Sequence, residues 1–461
     1  MTYFIETYGC EMNLAESASV ENILLSRKWT KAENPQVADL VIINTCSVRA
    51  TAETRIFGRL GFFTGLKKVR SMEKDAKVKS DEMKSAVEFV KKNGKVPLTL
   101  IVMGCMAERL LKTLQKDWPC IDYVVGTFAK NKFGDIITDV EEGREPVQIE
   151  EEPVYVFAET SYEEGAFSTF VPIMHGCNNF CSYCIVPYVR GRETSRALNE
   201  ILHEIDVLSD RGVKEITLLG QNVNSYNSDG LTFPQLLKKI SAYLDEKKSS
   251  IRWIRFESSN PKDFSDELIE VIASDPHVCK GIHVAVQHGS TRVLKAMNRK
   301  YTREAYLELV SKIKKSIPDA ALTTDLMLGF PGESEEDFEE VLSLLKEVQY
   351  SSAFMYYYNP REGTPAARME NQIPLEVKKE RLQKVIDLQL KIQSQVMEKR
   401  VGKTVTVLCD IISRDNRSEL LGKTSLNERV AFTAKPSLIG HFATVRIDSL
   451  NGNTFRGTLI E

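Results

Sequence analysis

Residues 170–184 read FVPIMHGCNNFCSYC, a strand-like apolar run that leads directly into three cysteines spaced C-x3-C-x2-C. We name Cys177, Cys181 and Cys184 the motif set; no fourth cysteine follows nearby. Zinc fits this spacing badly, because a structural zinc site is closed by four ligands, usually in two pairs. An iron–sulfur cube normally takes four thiolates, so three leave one iron open to another ligand. The motif therefore favours a cube with one open iron.

The strand before the motif set is the first of six strand-like runs that alternate with helical stretches over residues 170–400. Six βα units predict a partial barrel, with its active edge at the carboxyl ends of the strands. A helix over 375–400 follows the last unit. The six runs are FVPIMHG, EITLLGQN, IRWIRFESS, GIHVAVQHG, ALTTDLMLGF and SAFMYYYNP.

The N-terminal part also alternates strands with helices, and its three strand runs are YFIETY, ADLVIIN and LTLIVM. This pattern predicts a parallel α/β domain. Each run leads to a cysteine, and we name Cys10, Cys46 and Cys105 the strand-end set. Because the carboxyl ends of parallel strands share one edge of a sheet, we expect these cysteines to converge there.

The fold class predicted from these patterns is α/β: an N-terminal parallel α/β domain, a central partial (βα)6 barrel and a small C-terminal β-barrel. The expected limits are 1–145 for the N-terminal domain, 146–168 for an acidic linker, 169–399 for the central barrel and 400–461 for the small barrel. The last segment carries nine Lys/Arg against six Asp/Glu. This excess is consistent with an RNA-binding surface, and an ordinary solvated surface is the alternative.

A second basic stretch lies in the N-terminal domain, where residues 66–95 carry ten Lys/Arg against five Asp/Glu. A solvated helical face is the first interpretation, and a nucleic-acid contact is the alternative. The whole chain of 461 residues has a net charge of -3, so a polyanionic partner must be met by such local patches.

Composition places the chain in a reducing compartment. Nine cysteines, an odd number, argue against a disulfide framework. The N-terminus lacks a basic segment leading into an apolar one, and no run of about 18 apolar residues occurs. We therefore expect a cytoplasmic protein that makes no membrane contact.

The motif set at the end of the first strand of a six-fold βα array resembles the radical S-adenosylmethionine superfamily. Together with the strand-end set, the chain resembles the methylthiotransferase family within it. The resemblance rests on ETYGCEMNLAES, IINTCSVRATAETR, HGCNNFCSYCIVPYVRGRETSR, EITLLGQNVNSY, MNRKYTR and LMLGFPGESEEDF, and on a terminal barrel that looks like a TRAM domain. LLGQNVNSY and GKTSLNERVAF resemble the bacterial members that modify dimethylallyladenosine in tRNA.

The resemblance implies two 4Fe-4S clusters, one on the motif set and an auxiliary one on the strand-end set. It also implies two molecules of S-adenosylmethionine per turnover, one as a methyl donor and one as the source of a 5'-deoxyadenosyl radical. The expected reaction is methylthiolation of carbon 2 of N(6)-dimethylallyladenosine at tRNA position 37. All six cysteines would then be essential to catalysis.

The resemblance further implies contacts to S-adenosylmethionine from an aromatic residue and from polar residues near the barrel strand ends. These are Tyr183, Gln221, Glu257, Gln287 and Asp325. Two features depart from the family pattern: the length and charge of 66–95, and His288 where the family usually has Ser. We expect His288 to be a hydrogen-bonded structural histidine. The remaining cysteines, Cys120, Cys279 and Cys409, are expected to be structural.

Other functions stay open at the level of the sequence. The rivals within the family act on threonylcarbamoyl adenosine in tRNA or on an aspartate of a ribosomal protein. Outside it stand a non-enzymatic iron–sulfur carrier or scaffold and a zinc-containing RNA-binding protein. As partners we expect the tRNA anticodon stem-loop, a small-protein electron donor and the iron–sulfur assembly machinery, with a monomer as the default state.

Overall fold

The computed structural model describes residues 1–47, 50–72, 83–147, 155–157, 165–414 and 416–460, with only the backbone at 50–52. Parts of the predicted linker and of the basic stretch 66–95 lie outside these residues. The chain divides into two compact units. Unit 1 is Met1–Tyr162, His175–Asn178 and Ile185–Thr194; unit 2 is Glu163–Met174, Asn179–Cys184 and Ser195–Glu461.

Unit 1 contains a five-stranded sheet with the order β2-β1-β3-β4-β5, in which all neighbouring strands are parallel. Its strands are Thr2–Thr7 (β1), Thr30–Lys31 (β2), Leu40–Thr45 (β3), Thr99–Gly104 (β4) and Tyr123–Val125 (β5). Its helices are Glu11–Ser26 (α1), Ala50–Arg70 (α2), Lys84–Asn93 (α3), Cys105–Arg109 (α4), Leu114–Asp117 (α5), Phe133–Glu142 (α6) and Val186–Val189 (α7).

The central strands of this sheet are buried on both faces. Every residue of β3 is buried, with Val41 and Ile43 in one apolar cluster and Leu40 and Ile42 in another. Alternate residues of a strand point to opposite faces, so an unbroken apolar run suits a strand covered by helices on both sides. This explains why LVII and LIVM occupy the middle of the sheet.

The first part of unit 2 contains six strands in two parallel sheets of three, with the orders β12-β9-β6 and β13-β14-β15. The two main sheets comprise Ser168–Pro172 (β6), Glu215–Leu219 (β9), Trp253–Phe256 (β12), Gly281–His283 (β13), Ala321–Leu328 (β14) and Ser352–Tyr357 (β15). Short strands are Met174–His175 (β7), Thr194–Ser195 (β8), Asn227–Ser228 (β10) and Leu231–Thr232 (β11).

Helices follow these strands as the βα pattern predicts. They are Leu198–Asp210 (α8), Phe233–Glu246 (α9), Asp266–Ser274 (α10), Thr291–Ala296 (α11), Arg303–Ser316 (α12), Glu335–Val348 (α13) and Leu375–Glu398 (α14). Single 3₁₀ turns span Lys130–Lys132 in unit 1, and Val223–Ser225, Pro261–Asp263, Pro365–Arg368 and Pro436–Leu438 in unit 2. No helix within the described ranges is both long and apolar enough to cross a membrane.

The C-terminal segment forms a closed five-stranded barrel with the order β16-β17-β18-β20-β19. Its strands are Thr404–Ile412 (β16), Glu419–Thr424 (β17), Arg429–Thr433 (β18), Phe442–Asn451 (β19) and Thr454–Leu459 (β20). The predicted fold class is therefore confirmed: a parallel α/β domain, a six-stranded partial barrel and a small β-barrel. The exact limits given above for the domains and the linker stay a prediction.

Within unit 2 the small barrel docks onto the amino-terminal ends of β12 and β13. Arg255 of β12 donates to the carbonyls of Thr424 and Ser425, at 2.7 and 3.1 Å. A Cβ on Gly281 would lie 2.8 Å from the carbonyl oxygen of Leu426, so only glycine allows this close approach. The turn between β17 and β18 is thus fixed against the barrel at the end opposite its expected active edge.

Candidate active site

The structure places the strand-end set at the carboxyl ends of three adjacent strands of unit 1. Cys10 caps the start of α1 just after β1, whereas Cys46 and Cys105 directly follow β3 and β4. The last register pair of β3 and β4 is Thr45 with Gly104, so Cys46 and Cys105 leave neighbouring strands side by side. A Cβ on Gly9 would lie 2.9 Å from the Cβ of Cys46, which brings the first loop against the second.

Two asparagines hold these loops in place. Asn13 Nδ2 donates to Asn44 Oδ1 at 2.8 Å and to the Thr45 carbonyl at 3.0 Å, while Asn44 Nδ2 donates to the Asn13 carbonyl at 2.8 Å. Asn13 Oδ1 also lies 3.4 Å from the nitrogen and from the sulfur of Cys10. These buried amides satisfy one another and explain the asparagines in the segments TYGCEMN and INTC.

The backbone before Cys105 requires a glycine. Gly104 has a φ of 94°, and a Cβ there would lie 2.5 Å from Asn44 Oδ1. That conformation lets the chain turn from β4 into α4 without a spacer. The thiol is therefore presented directly at the sheet edge.

Within the strand-end set Cys46 and Cys105 are buried and Cys10 is half-buried, and charged residues of unit 1 lie around them. Burial raises the pKa of the Cys105 thiol to about 11, and Arg190 opposes this rise. Burial also raises the pKa of Cys10, again against the influence of Arg190. Arg190 Nε lies 3.1 Å from the sulfur of Cys105 and donates to it. A cation that favours thiolates therefore stands beside these cysteines.

Arg190 is itself held by a buried carboxylate. Its Nη1 and Nη2 donate to the two oxygens of Glu16 at 2.8 and 3.3 Å, and Lys130 pairs with the same Glu16. Burial alone would raise the pKa of Glu16, but the two cations lower it to about 2. Glu16 is thus ionised at neutral pH.

His175 extends this group of residues. Arg190 Nη1 lies 3.4 Å from His175 Nδ1, and because arginine can only donate, Nδ1 accepts and the proton of the neutral ring is on Nε2. The Tyr155 ring stacks on the imidazole with centroids 3.5 Å apart, and Lys130 Nζ lies 3.2 Å from the Tyr155 hydroxyl. Within the described parts of the chain, His175 Nε2 is buried and has no hydrogen-bond partner.

The motif set lies in the loop that follows β7. Cys181 and Cys184 belong to unit 2, where the Cys184 nitrogen donates to the Cys181 carbonyl at 3.0 Å, and Cys177 belongs to the 175–178 stretch of unit 1. Before Cys177, Gly176 has a φ of 78°, and a Cβ there would lie 2.0 Å from the Arg192 carbonyl oxygen. Glycine is therefore the residue that this tight loop accepts.

The end of α11 pins the unit 2 part of the loop. Ser182 donates two hydrogen bonds there: its nitrogen donates to the Met297 carbonyl and its hydroxyl to the Ala296 carbonyl, both at 2.9 Å. Asn298 Nδ2 donates to the carbonyl of Phe180, a residue with a φ of 47°. The segment MNRK is thus a support for the cysteine loop.

Of the predicted cofactor contacts, Gln221, Glu257 and Gln287 lie beyond the carboxyl ends of barrel strands, whereas Asp325 lies inside β14 and Tyr183 lies in the cysteine loop. Gln221 and Glu257 follow the neighbouring strands β9 and β12. Gln287 Nε2 donates to Asp325 Oδ2 at 3.3 Å, and Gln287 holds a φ of 71°, which is costly for a residue with a side chain. Tyr183 packs against the apolar cluster that contains Phe330. The structure brings Gln287 and Asp325 together, and their role in cofactor binding stays a prediction.

His288 is buried and fully hydrogen-bonded, as expected. Its Nε2 lies 3.2 Å from Glu333 Oε2, and its Nδ1 accepts from the Ser290 nitrogen at 3.0 Å. Glu333 also accepts from the Gly329 nitrogen at 2.6 Å and pairs with Arg381 at 2.7 Å. His288 therefore braces the GFPGES turn. The three other cysteines, Cys120, Cys279 and Cys409, are each buried in an apolar cluster.

Across the described residues, no three His, Cys, Asp or Glu side chains meet closely enough to coordinate one metal ion. A four-iron cube does not require such a meeting point, because its cysteines bind different iron atoms. The donor set of unit 1 suits a cube: three thiols at one sheet edge, a cation that donates to one of them, and the orphan N–H of His175.

Sequence reasoning missed the charged and aromatic residues around the strand-end set, which are Glu16, Lys130, Arg190, His175 and Tyr155. A signal was present in α1, where Asn13, Glu16 and Ser17 are polar residues on the buried face. Buried charges are rare unless paired, so a carboxylate in that position indicates a buried cation from elsewhere in the chain.

Comparison with known proteins agrees with this organisation. Residues 171–345 match the Radical SAM superfamily, residues 398–460 match the TRAM domain, and residues 2–79 match a family described as Uncharacterized protein family UPF0004. The radical SAM match overlaps the six-stranded barrel, and the TRAM match overlaps the closed small barrel.

Two full-length relatives of this chain carry the same name. A protein of Treponema pallidum (strain Nichols) named tRNA-2-methylthio-N(6)-dimethylallyladenosine synthase is 51% identical over 479 residues, covering 100% of this chain and 99% of its own. A protein of the same name from Treponema denticola is 50% identical over 477 residues, covering 100% of both chains. Among solved structures, the radical S-adenosylmethionine methyltransferase TsrM from Kitasatospora setae aligns with a TM-score of 0.58 at 13% identity, covering 79% of this chain and 77% of its own, which shows a shared fold.

Proposed function

The chain belongs to the family of radical S-adenosylmethionine methylthiotransferases that modify tRNA, and from this premise we propose that it methylthiolates carbon 2 of N(6)-dimethylallyladenosine at position 37. Family membership makes it an enzyme that uses S-adenosylmethionine and a 4Fe-4S cluster. The specific base, the second cluster and the use of two S-adenosylmethionine molecules per turnover are our proposal.

The observation that carries the proposal is the presence of two separate sets of three cysteines, each next to strand carboxyl ends. In our proposal Cys177, Cys181 and Cys184 hold the cluster that binds S-adenosylmethionine, and Cys10, Cys46 and Cys105 hold the auxiliary cluster. Three thiolates per cube leave one iron of each open. When bound, the two clusters and S-adenosylmethionine would together supply the sulfur, the methyl group and the radical that removes hydrogen from carbon 2.

The protein's own residues then have positioning tasks. Asn13 and Asn44 fix the loops of the strand-end set, and the Ser182 contacts to the end of α11 fix the motif loop. Gln287 and Asp325 would orient the cofactor at the barrel edge, together with Tyr183, Gln221 and Glu257. Hydrogen-atom abstraction needs no general base, which is consistent with thiols rather than paired carboxylates at the sheet edge.

The substrate would be the anticodon loop of tRNA. Single-stranded loops are where proteins read RNA with specificity, and taking one base out of its stack costs a few kcal/mol. We propose that the small barrel binds the phosphates of the RNA, in keeping with its excess of Lys/Arg and its match to the TRAM domain. We further propose a cytoplasmic monomer that receives electrons from a small protein.

The test is a reconstituted reaction. The chain is purified without oxygen, supplied with iron and sulfide, and incubated with S-adenosylmethionine, a reductant and tRNA that carries dimethylallyladenosine. Mass spectrometry of the nucleosides should show the methylthio product together with 5'-deoxyadenosine. Formation of 5'-deoxyadenosine with this tRNA unchanged would refute the proposed base and direct the search to threonylcarbamoyl adenosine or a ribosomal-protein aspartate.

A further inference from the structure

A buried ionic group stands next to the strand-end set in unit 1. Arg190, Glu16 and Lys130 expose only 2%, 4% and 9% of their surface. Both cations bind the same carboxylate, and Arg190 also donates to the sulfur of Cys105 at 3.1 Å. Burying charges is costly unless each is compensated, so the sum of the charges in this group is informative.

Two cations share one carboxylate, so the trio carries one positive charge in excess. His175, which also contacts Arg190, adds none, because its Nδ1 accepts from the guanidinium and the ring is neutral. The oxidised core of a four-iron cube carries two positive charges, and three thiolates bring the total to one negative charge. The excess charge of the trio would balance a cube held by the strand-end set.

The geometry also explains why the residue at 190 is an arginine. A guanidinium presents several N–H donors in one plane, so it can bind a carboxylate through two nitrogens and still offer a third. Arg190 does this: Nη1 and Nη2 face Glu16 and Nε faces Cys105. Glu16 fixes the plane of the guanidinium, and that plane decides where Nε points.

Neighbouring residues of the same segment hold Arg190 in place. Ile185 and Val189 share an apolar cluster with Cys105, and the Val189 carbonyl accepts from the Thr127 hydroxyl at 2.6 Å. The backbone that leads into Arg190 is therefore tied to the same part of unit 1 that presents the thiol.

We propose that Arg190 is a positioning residue for the auxiliary cluster: its Nε–H donates to the Cys105 thiolate, and its charge stabilises the cluster in the reduced state. Glu16 orients it, and Lys130 offsets the charge of Glu16. This rests on the proposed function, since it assumes that the strand-end set holds a cluster. Hydrogen bonds to cluster sulfurs and nearby charges both tune the reduction potential of a cluster. Mutating a residue that hydrogen-bonds to a metal ligand typically lowers metal affinity or activity about 10- to 100-fold.

The test isolates the auxiliary cluster in the full chain. In a parent carrying Cys177→Ala, Cys181→Ala and Cys184→Ala, iron and sulfide content and a redox titration followed by electron paramagnetic resonance report on that cluster alone. We expect four irons per chain in the parent. Adding Arg190→Met should lower the reduced-to-oxidised ratio at a fixed potential about tenfold, a shift of about 59 mV to more negative values for one electron.

Two further variants separate donation from charge. Lys130→Met removes the same charge without touching Cys105, so its shift should be clearly smaller. Arg190→Lys keeps the charge but lacks the planar fork, so its potential should lie between those of the parent and of Arg190→Met. Circular dichroism would show whether Arg190→Met folds. If it does not, the comparison of Arg190→Lys with the parent tests the role of Arg190 in its place.

The outcomes distinguish the two proposals. A parent that binds no four-iron cluster would overturn the auxiliary cluster and, with it, the role of Arg190. A parent with its cluster, whose potential Arg190→Met leaves unchanged or shifts no more than Lys130→Met, would overturn the role of Arg190 alone. An Arg190→Lys variant with the parent's potential would do the same. A purely structural ion pair would lower thermal stability without moving the potential.

Discussion

Replacing Arg255 with methionine should release the small barrel from the central barrel of unit 2. Arg255 is 11% exposed in its side chain, and its Nε lies 2.7 Å from Glu215 Oε2, a carboxylate that is 5% exposed. Its other nitrogens donate to the carbonyls of Thr424 and Ser425. One side chain therefore joins β12, β9 and the turn between β17 and β18.

The cost follows from what the substitution leaves behind. Removing one partner of a buried ion pair costs about 3–5 kcal/mol, because the remaining charge is uncompensated. Each carbonyl that loses its donor adds about 1 kcal/mol at most, since water can reach an opened turn. We therefore expect Arg255→Met to lower the free energy of unfolding by at least about 3 kcal/mol.

The assay combines urea unfolding with hydrogen exchange of the full chain. Arg255→Met should lower the urea midpoint and expose residues 424–428 to exchange. Lys238→Met is the matched control, because Lys238 and Glu267 form an ion pair of 2.8 Å with side chains 54% and 41% exposed. Such an exposed pair contributes about 0–1 kcal/mol.

The double variant Arg255→Met with Glu215→Gln supplies the decisive comparison. Removing both charges of a buried pair is far less costly than removing one, so the double variant should recover much of the lost stability. A loss below about 1 kcal/mol for Arg255→Met, or a double variant as unstable as the single one, would refute the role assigned to this pair.

Three further outcomes are expected. Cys46→Ala should still form 5'-deoxyadenosine but no methylthio product, whereas Cys177→Ala should form neither, as mass spectrometry would show; methylthio product from Cys46→Ala would mean that the auxiliary cluster lies elsewhere. A second expected outcome concerns Asp337. Burial alone would raise the pKa of this carboxylate, but hydrogen bonds from Arg292, Ser290 and Ser334 hold it well below its usual range. The stability this carboxylate contributes is complete above its unfolded pKa of about 3.9 and is lost as pH falls toward the folded pKa, so acid titration of unfolding should be flatter for Asp337→Asn. Affinity for tRNA should fall with salt, each phosphate contact adding about 0.7 to 0.9 to the slope of log K against log salt, and a flat plot would exclude a phosphate grip.

Most of the fold could be predicted from local patterns. The run LVIIN predicted a buried strand and the structure has β3 at Leu40–Thr45; the predicted helix over 375–400 is α14, Leu375–Glu398. The short strands Thr30–Lys31 and Tyr123–Val125 were missed, because two or three residues are too few to show a period. The helix α2 runs from Ala50 to Arg70 through three glycines, because no proline interrupts the segment and isolated glycines weaken a helix without ending it.

The ionic group around the strand-end set could not be predicted in the same way. Glu16 and Arg190 are 174 residues apart, and Glu16 and Lys130 are 114 apart. Local periodicity says that Glu16 faces inward on α1 but not which cation meets it. Only the arrangement of the sheet and the segment 185–194 within unit 1 decides that pairing.

The two cysteine sets differ in which part of the structure fixes the separation of their cysteines. This difference decides which insertions and which register changes each set tolerates. Cys181 and Cys184 are three residues apart, so their separation depends on one loop and its support from the end of α11. Cys46 and Cys105 are 59 residues apart, yet each directly follows the register pair of Thr45 and Gly104. Their backbone separation is therefore set by the spacing of adjacent strands, about 4.8 Å. Residues inserted between α2 and α3 do not alter that spacing, whereas a one-residue slip of β4 against β3 would turn one thiol away from the other. The basic stretch 66–95 can thus vary in length because the register of buried strands, rather than the length of the chain between them, holds the strand-end set together.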